Sequence, residues 1–242
     1  MTIRLAGLPE ADQDRIGRTR ASVAALHAEL PRNELVVWTA GNVSEKVPEL
    51  TSGHQLFVIK PSGVSYDELS AENMVVCTLD GQKIDDGTAD SLTPSSDTAA
   101  HAYVYRHMDH VGGVVHTHST FATAWAARAE PIPCVLTMMA DEFGGDVPVG
   151  PFALIGDDSI GQGIVETLRE SRSKAVLMER HGPFTIGADA KAAVKAAVMC
   201  EEVARTVHYA RAYGDPVRID QAQIDSLYAR YQNVYGQKGN TA

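Results

Sequence analysis

Two histidines one residue apart, His116 and His118, close the apolar run Gly112-Gly113-Val114-Val115 and are followed by Ser119. In an extended strand residues i and i+2 project from the same face, so both imidazoles open into one space. That arrangement supplies two metal ligands from a rigid element. A catalytic divalent ion usually takes three protein ligands and keeps a position open for substrate or water. A third candidate ends the apolar run before Glu179-Arg180, where His181 is followed at once by Gly182-Pro183, read as a turn. Of the nine histidines, His27, His54, His107, His110 and His208 fall in helical or loop contexts without such geometry. His101 stands apart because it lies one helical turn after Asp97.

Three short loops suit an anion. Thr39 to Ser44, with Asn42 inside it, follows the apolar Leu35-Val36-Val37-Trp38. Lys60-Pro61-Ser62-Gly63 follows a strand-like run ending at Ile59, and Thr93-Pro94-Ser95-Ser96-Asp97 precedes a helix. A helix start offers unpaired N–H groups and a positive dipole end, and Lys60 adds a full charge. Taken singly, each loop is also an ordinary turn.

These residues need elements to position them. Ile16, Val23, Leu26 and Leu30 keep helical spacing over residues 12–30. Strand-like runs follow at 35–38, 55–60 and 74–79, and Asp80-Gly81 suits a tight turn into a short return strand. Ser96 or Asp97 caps a helix reaching about Met108. A strand over 112–118 leads, through Ser119 as cap, into a helix near 120–128. Asp157-Asp158-Ser159 opens another helix, and 175–180 reads as a strand. The longest helix runs from Asp189 to about Tyr213, and a last one spans about 220–231. Several strand connections are too short for helical crossovers, so the fold class is α/β with a mixed, largely antiparallel central sheet covered by helices. One domain over 1–242 is expected, with 1–11 and 238–242 as flexible termini. No Gly-x-Gly-x-x-Gly marks a strand–helix junction.

Composition narrows the function classes. The chain has 242 residues, is 44% hydrophobic and carries a net charge of −10 without a basic run, so it lacks the electrostatic footprint of a nucleic-acid binder. No apolar stretch approaches the ~20 residues of a membrane span, and the N-terminal residues have no signal-like apolar core. A cytoplasmic protein with no membrane partner is expected. Cys77, Cys134 and Cys200 have no Cys-x-x-Cys spacing and sit in apolar runs, as inert buried thiols do.

In chain order, Gly41-Asn42-Val43-Ser44, Lys60-Pro61-Ser62-Gly63, Pro94-Ser95-Ser96-Asp97, His116-Thr117-His118-Ser119, Ala140-Asp141, His181-Gly182-Pro183-Phe184 and Tyr235-Gly236-Gln237 resemble the class II sugar-phosphate aldolase/epimerase family. The closest branch is the L-ribulose-5-phosphate 4-epimerases, and the resemblance runs from about residue 12 to 237. It implies a metal centre of His116, His118 and His181, normally holding zinc and sometimes manganese or another divalent ion. It implies a phosphate site of Asn42, Lys60, Ser62, Gly63, Ser95 and Ser96, with Thr39 a weaker addition. Asp141 and Tyr235 match an acid/base pair that reaches the site from a neighbouring subunit, which implies a homo-oligomer, most simply a tetramer with sites at its interfaces. Asp97 takes a position where aldolases usually carry glutamate and epimerases aspartate. It has three readings: helix cap, contact to the surroundings of the metal, or proton transfer. One departure from the branch is Met139, where its members have histidine.

The chemistry implied is inversion at C4 of a ketose 5-phosphate. That C–H adjoins no carbonyl, so direct proton abstraction is hard, whereas retro-aldol cleavage of C3–C4 followed by re-addition avoids it; a Lewis-acidic metal and two acid/bases suit this route. Two alternatives are an aldolase acting on a sugar such as L-fuculose 1-phosphate and, on the same fold, a non-catalytic adaptor domain. Asp97 in place of glutamate favours the epimerase, and retention of the histidines argues against an adaptor.

Overall fold

The computed structural model describes residues 2–233. A seven-stranded sheet has the order β3-β2-β1-β4-β7-β6-β5. Its strands are β1 (Asn42–Lys46), β2 (Leu56–Ile59), β3 (Val75–Thr78), β4 (Gly113–His116), β5 (Val149–Gly150), β6 (Ala175–Met178) and β7 (Gly182–Gly187). Only β5 and β6 pair in parallel; the other five neighbours are antiparallel. The helices are α1 (Glu10–His27), α2 (Glu29–Arg32), α3 (Thr98–His107), α4 (Thr120–Ala127), α5 (Thr137–Phe143), α6 (Ser159–Leu168), α7 (Ala190–Arg211) and α8 (Gln221–Asn233).

Both faces of the sheet are covered, which is why strands such as β2 and β6 read as continuous apolar runs rather than alternating ones. Phe57, Ile59 and Val114 face α3 and α6 with Val104, Ile160 and Ile164. Leu56, Val58 and Val115 point the other way, toward α1 and the start of α7, with Ile16, Val23 and Val194. A third cluster gathers α4, α5, α8 and the later part of α7 around Trp125, Phe143, Val203 and Ile224. Met139 belongs to that cluster and is fully buried, so it packs here as a core residue.

Several local readings are corrected. Residues 35–38 form no strand; Trp38 has a positive φ of 57° and is exposed. The first strand instead starts at Asn42, inside what reads as a loop. Gly182-Pro183 opens β7, and the turn lies earlier, at Glu179-Arg180, with Arg180 at φ 58° and His181 N donating to Met178 O. The short α5 and β5 carry no clear sequence signal. The segment 1–11 is not loose over its described part: Leu5 N donates to Asp85 O, Asp85 N donates to Ile3 O, and α1 begins at Glu10. Ile3, Leu5 and Leu8 pack on the α1 side of the core. Residues 238–242 lie outside the described residues.

Ser119 sits at the start of α4 but makes no side-chain cap. Glu201 of α7 caps it instead, accepting from Phe121 N at 2.9 Å and Ala122 N at 2.8 Å while itself only 3% exposed. A buried carboxylate thus satisfies the orphan amides of a helix that starts two residues after His118. Glu201→Ala is expected to cost about 2–4 kcal/mol, because two charge-assisted bonds are lost in the core. Urea unfolding of the variant measures it.

All three cysteines are buried and free, as expected. No described helix is long and apolar enough to cross a membrane.

Candidate metal centre and anion cradle

Antiparallel pairing gathers the site at one edge of the sheet. Asn42 opens β1 opposite His116, which closes β4, and His116 in turn faces Phe184 near the start of β7. The β6–β7 turn at the same edge carries His181. Lys60 follows the end of β2, where Ile59 pairs with Ser44. Two glycines permit this crowding. A Cβ on Gly41 would lie 2.9 Å from His116 O, and one on Gly182 2.8 Å from Thr117 O. Gly41 also adopts φ 79°, which side chains rarely accept.

The ring nitrogens of His116, His118 and His181 lie within 4.8 Å of one another, with His116 Nε2 and His118 Nε2 3.0 Å apart. His116 Nδ1 is 3.1 Å from Pro183 O, which can only accept, so Nδ1 carries the proton and Nε2 presents a lone pair. Phe184 stacks on the His116 ring at 4.1 Å between centroids and fixes its plane. Burial first, and then the neighbouring imidazoles, push His116 well below its usual pKa; burial also lowers His118 and His181, against the opposing pull of Asp97. Three neutral nitrogens facing one point fit a divalent cation. Zinc–nitrogen bonds of about 2.0–2.1 Å need donors roughly 3.3 Å apart, so only small adjustments separate this triad from a coordination shell. Three protein ligands leave a position open.

Asp97 borders the triad. Its Oδ2 accepts from Asn42 Nδ2 at 2.7 Å, and Asn42 Nδ2 also reaches Ser95 Oγ at 3.0 Å. Asp97 occupies the start of α3 without a side-chain cap bond there, so of its three readings the helix cap drops out. The buried Asn42 Oδ1 and Asp97 Oδ1 have no protein partner.

Lys60 is 2% exposed, and its Nζ donates only to carbonyls, Thr39 O at 3.2 Å and Pro61 O at 3.3 Å. No carboxylate among the described residues pairs with it. Burial pulls it down to about 8. Ser62 N donates to Thr93 O and Ser95 N to Lys60 O, so the two anion-suited loops are zipped side by side. Ser62, Gly63 and Ser96 are exposed at their surface, with Ser95 half-buried between them. A buried ammonium without an anion, beside open hydroxyls and a helix start, is the donor set a phosphate needs.

Asp141 lies on α5, half-buried, with its backbone carbonyl accepting from Gln232 Nε2. No hydrogen bond or ion pair among the described residues links it to the histidines. Tyr235 lies outside the described residues.

Residues 21–208 match the class II aldolase and adducin N-terminal domain family. The chain belongs to this family. It is 38% identical over 234 residues to L-ribulose-5-phosphate 4-epimerase UlaF of Salmonella paratyphi C (strain RKS4594), covering 91% of this chain and 99% of that one. Among solved structures it resembles an L-fuculose 1-phosphate aldolase at 23% identity, with a TM-score of 0.79 over 89% of this chain and 96% of the other. The L-fuculose-1-phosphate aldolase of Thermus thermophilus is 26% identical, with a TM-score of 0.65 over 82% of this chain and 98% of the other. The likeness therefore covers both the sheet and the site it frames.

Two further groups lie behind the site: His27, which the sequence places in a context without ligand geometry, and His101, which it sets apart without revealing its partners. His27 bridges α1 and β1: Nδ1 donates to Val23 O at 2.7 Å and Nε2 accepts from Val43 N at 3.0 Å. His101 Nδ1 and Tyr105 Oη both lie 2.7 Å from Ser44 Oγ. Burial lowers His27 and His101 to about 3. The unfolded chain takes up these protons near the ordinary value of 6.5, whereas the folded chain resists until about 3. Stability from this source is full above 6.5 and falls as pH drops through the window below it. Between about pH 6.5 and pH 5 the two histidines together are expected to remove about 3 kcal/mol. Urea titrations of metal-free protein at both values test this, and His27→Gln is expected to flatten the dependence.

Proposed function

We propose that this chain is a metal-dependent epimerase interconverting L-ribulose 5-phosphate and D-xylulose 5-phosphate by cleavage and re-formation of the C3–C4 bond. The likeness to an epimerase over 99% of that protein's length carries the reading. The Asp97 position supports it against the aldolase alternative.

In this reading His116, His118 and His181 hold the ion, zinc being the natural occupant of three imidazoles. When bound, it supplies Lewis-acid stabilisation of the charge that develops on the ketose oxygens. Lys60 and the Ser62-Gly63 and Ser95-Ser96 loops, with Asn42 at their edge, grip the phosphate. The phosphate-bearing aldehyde half stays tethered while its carbonyl turns to offer the opposite face. Proton removal and delivery at the C4 oxygen then need one group on each face, the roles assigned to Asp141 and Tyr235. No hydrogen bond or ion pair among the described residues ties Asp141 to the triad of its own chain, which fits action across a subunit boundary, in a homotetramer. Sedimentation and scattering test that arrangement, and an active monomer would overturn it.

Incubation with L-ribulose 5-phosphate is expected to give D-xylulose 5-phosphate with carbon-13 isotope effects at both C3 and C4. Little free glycolaldehyde phosphate is expected to accumulate. Stoichiometric release of dihydroxyacetone and glycolaldehyde phosphate would make the protein an aldolase. Cleavage of L-fuculose 1-phosphate without turnover of any pentulose phosphate would favour that substrate instead.

A further inference from the structure

On the α3 side of the sheet, β1 and α3 meet as a polar ladder through an otherwise apolar layer. Asn42 and Ser44, two apart on the strand, face Asp97, His101 and Tyr105, four apart on the helix. Every side chain in it is buried.

The proton inventory fixes its direction. Ser44 has one hydroxyl proton and two neighbours, and Tyr105 has one proton to place. If His101 Nδ1 carried a proton and donated to Ser44, either Ser44 would donate to Tyr105 and strand the tyrosine proton, or Ser44 would accept from both and strand its own; one hydroxyl proton would lack an acceptor in the ladder. His101 would also present a bare Nε2 lone pair near the Asp97 carboxylate. In the opposite order Tyr105 donates to Ser44 and Ser44 donates to His101 Nδ1. Nε2 then bears the proton. Two of the buried polar atoms without a protein partner are His101 Nε2 and Asp97 Oδ1, a donor and an acceptor one helical turn apart that are not bonded to each other in this structure. Asn42 already holds Asp97 through the other oxygen.

We propose that His101 is a positioning residue for Asp97: its Nε2–H, oriented through Ser44 and Tyr105, is directed to the carboxylate oxygen that Asn42 leaves free. That contact would hold Asp97 from its own helix, as the Asn42 amide already holds it from the strand. Burial keeps His101 neutral, so it acts as a fixed dipole. The role of Asp97 in turnover rests on the epimerase reading; the hydrogen-bond assignment does not.

Nitrogen-15 NMR of the full chain labelled at histidine reads the assignment directly, with His101→Gln identifying the signals. His101 is expected to show a protonated Nε2 and an unprotonated Nδ1, and its Nε2–H resonance is expected to shift in Asp97→Asn. A protonated Nδ1 with bare Nε2, or a resonance indifferent to Asp97→Asn, would overturn the proposal. Activity supplies a second arm. His101→Leu is expected to lower kcat about 10–100-fold with KM little changed, as loss of a group supporting a metal site does. His101→Gln, which keeps an N–H near the Nε2 position, is expected to recover most of it. Equal kcat values in the two folded variants would show that packing alone is at stake.

Discussion

His116→Asn is expected to leave the protein folded but strip it of its metal, and turnover is expected to fall below detection. His116 is the most constrained of the three histidines: Pro183 O holds its Nδ1, Phe184 stacks on its ring, and its Nε2 lies 3.0 Å from that of His118. Asparagine keeps a polar group but pulls the donor back toward the strand, out of reach of the point where the other two imidazoles converge. Two ligands then remain where three are needed for an anchored, open site. The metal-free chain also loses a source of stability, since an ion bound only by the folded state stabilises it by mass action. Metal analysis by atomic emission, alongside Tm with and without added zinc, checks the result. The wild-type Tm is expected to rise on zinc addition and the variant's to stay put. Full metal occupancy in His116→Asn would remove His116 from the ligand set.

The metal centre is legible in the sequence because strand periodicity is a strong local constraint. A strand over 112–118 predicts a common face for His116 and His118. The strand in fact stops at His116, and His118 just beyond it still meets His116 Nε2 at 3.0 Å, while an apolar run ending at a turn brings His181 to the same edge. The turn itself lies earlier than composition suggests. Gly182-Pro183 has turn composition, yet it starts β7, because the chain reverses through Arg180 in a left-handed conformation. Composition alone does not reveal a non-glycine residue held at positive φ. The same ambiguity hides β1: Gly41-Asn42-Val43-Ser44 has loop chemistry, and only pairing with both β2 and β4 makes it a strand. Apolar residues mislead in the other direction. Leu35 to Trp38 look like a strand, but Val37 and Trp38 are exposed, at 72% and 88%. Long-range partners are out of reach altogether. Nothing near Ser119 announces that Glu201 caps its helix, and nothing near Asp97 announces Asn42.

Lys60→Met is expected to raise KM for L-ribulose 5-phosphate by about two orders of magnitude or more. Loss of one charge-assisted contact to phosphate costs about 1.5–3 kcal/mol, and further loss comes from the disturbed loops. Metal content is expected to be unchanged, since Lys60 belongs to the loop after β2 and the ligands to the end of β4, the segment just after it and the β6–β7 turn. The sign of the stability effect is informative. Lys60 is a buried ammonium that donates only to carbonyls, with burial lowering its pKa to about 8. The folded state therefore binds this proton less well than the unfolded chain, and stability rises as pH increases from about 8 toward the ordinary lysine value. Methionine has similar length and no charge, so Lys60→Met is expected to be at least as stable as wild type near neutral pH and to lose that alkaline rise. A variant that is sound in fold and metal, yet poor in KM, separates anion binding from scaffolding. Calorimetry with inorganic phosphate gives the direct comparison: binding in the wild type is expected to weaken as pH passes about 8, and Lys60→Met is expected to show little binding at any pH. Undiminished phosphate affinity in the variant would move the anion site away from Lys60.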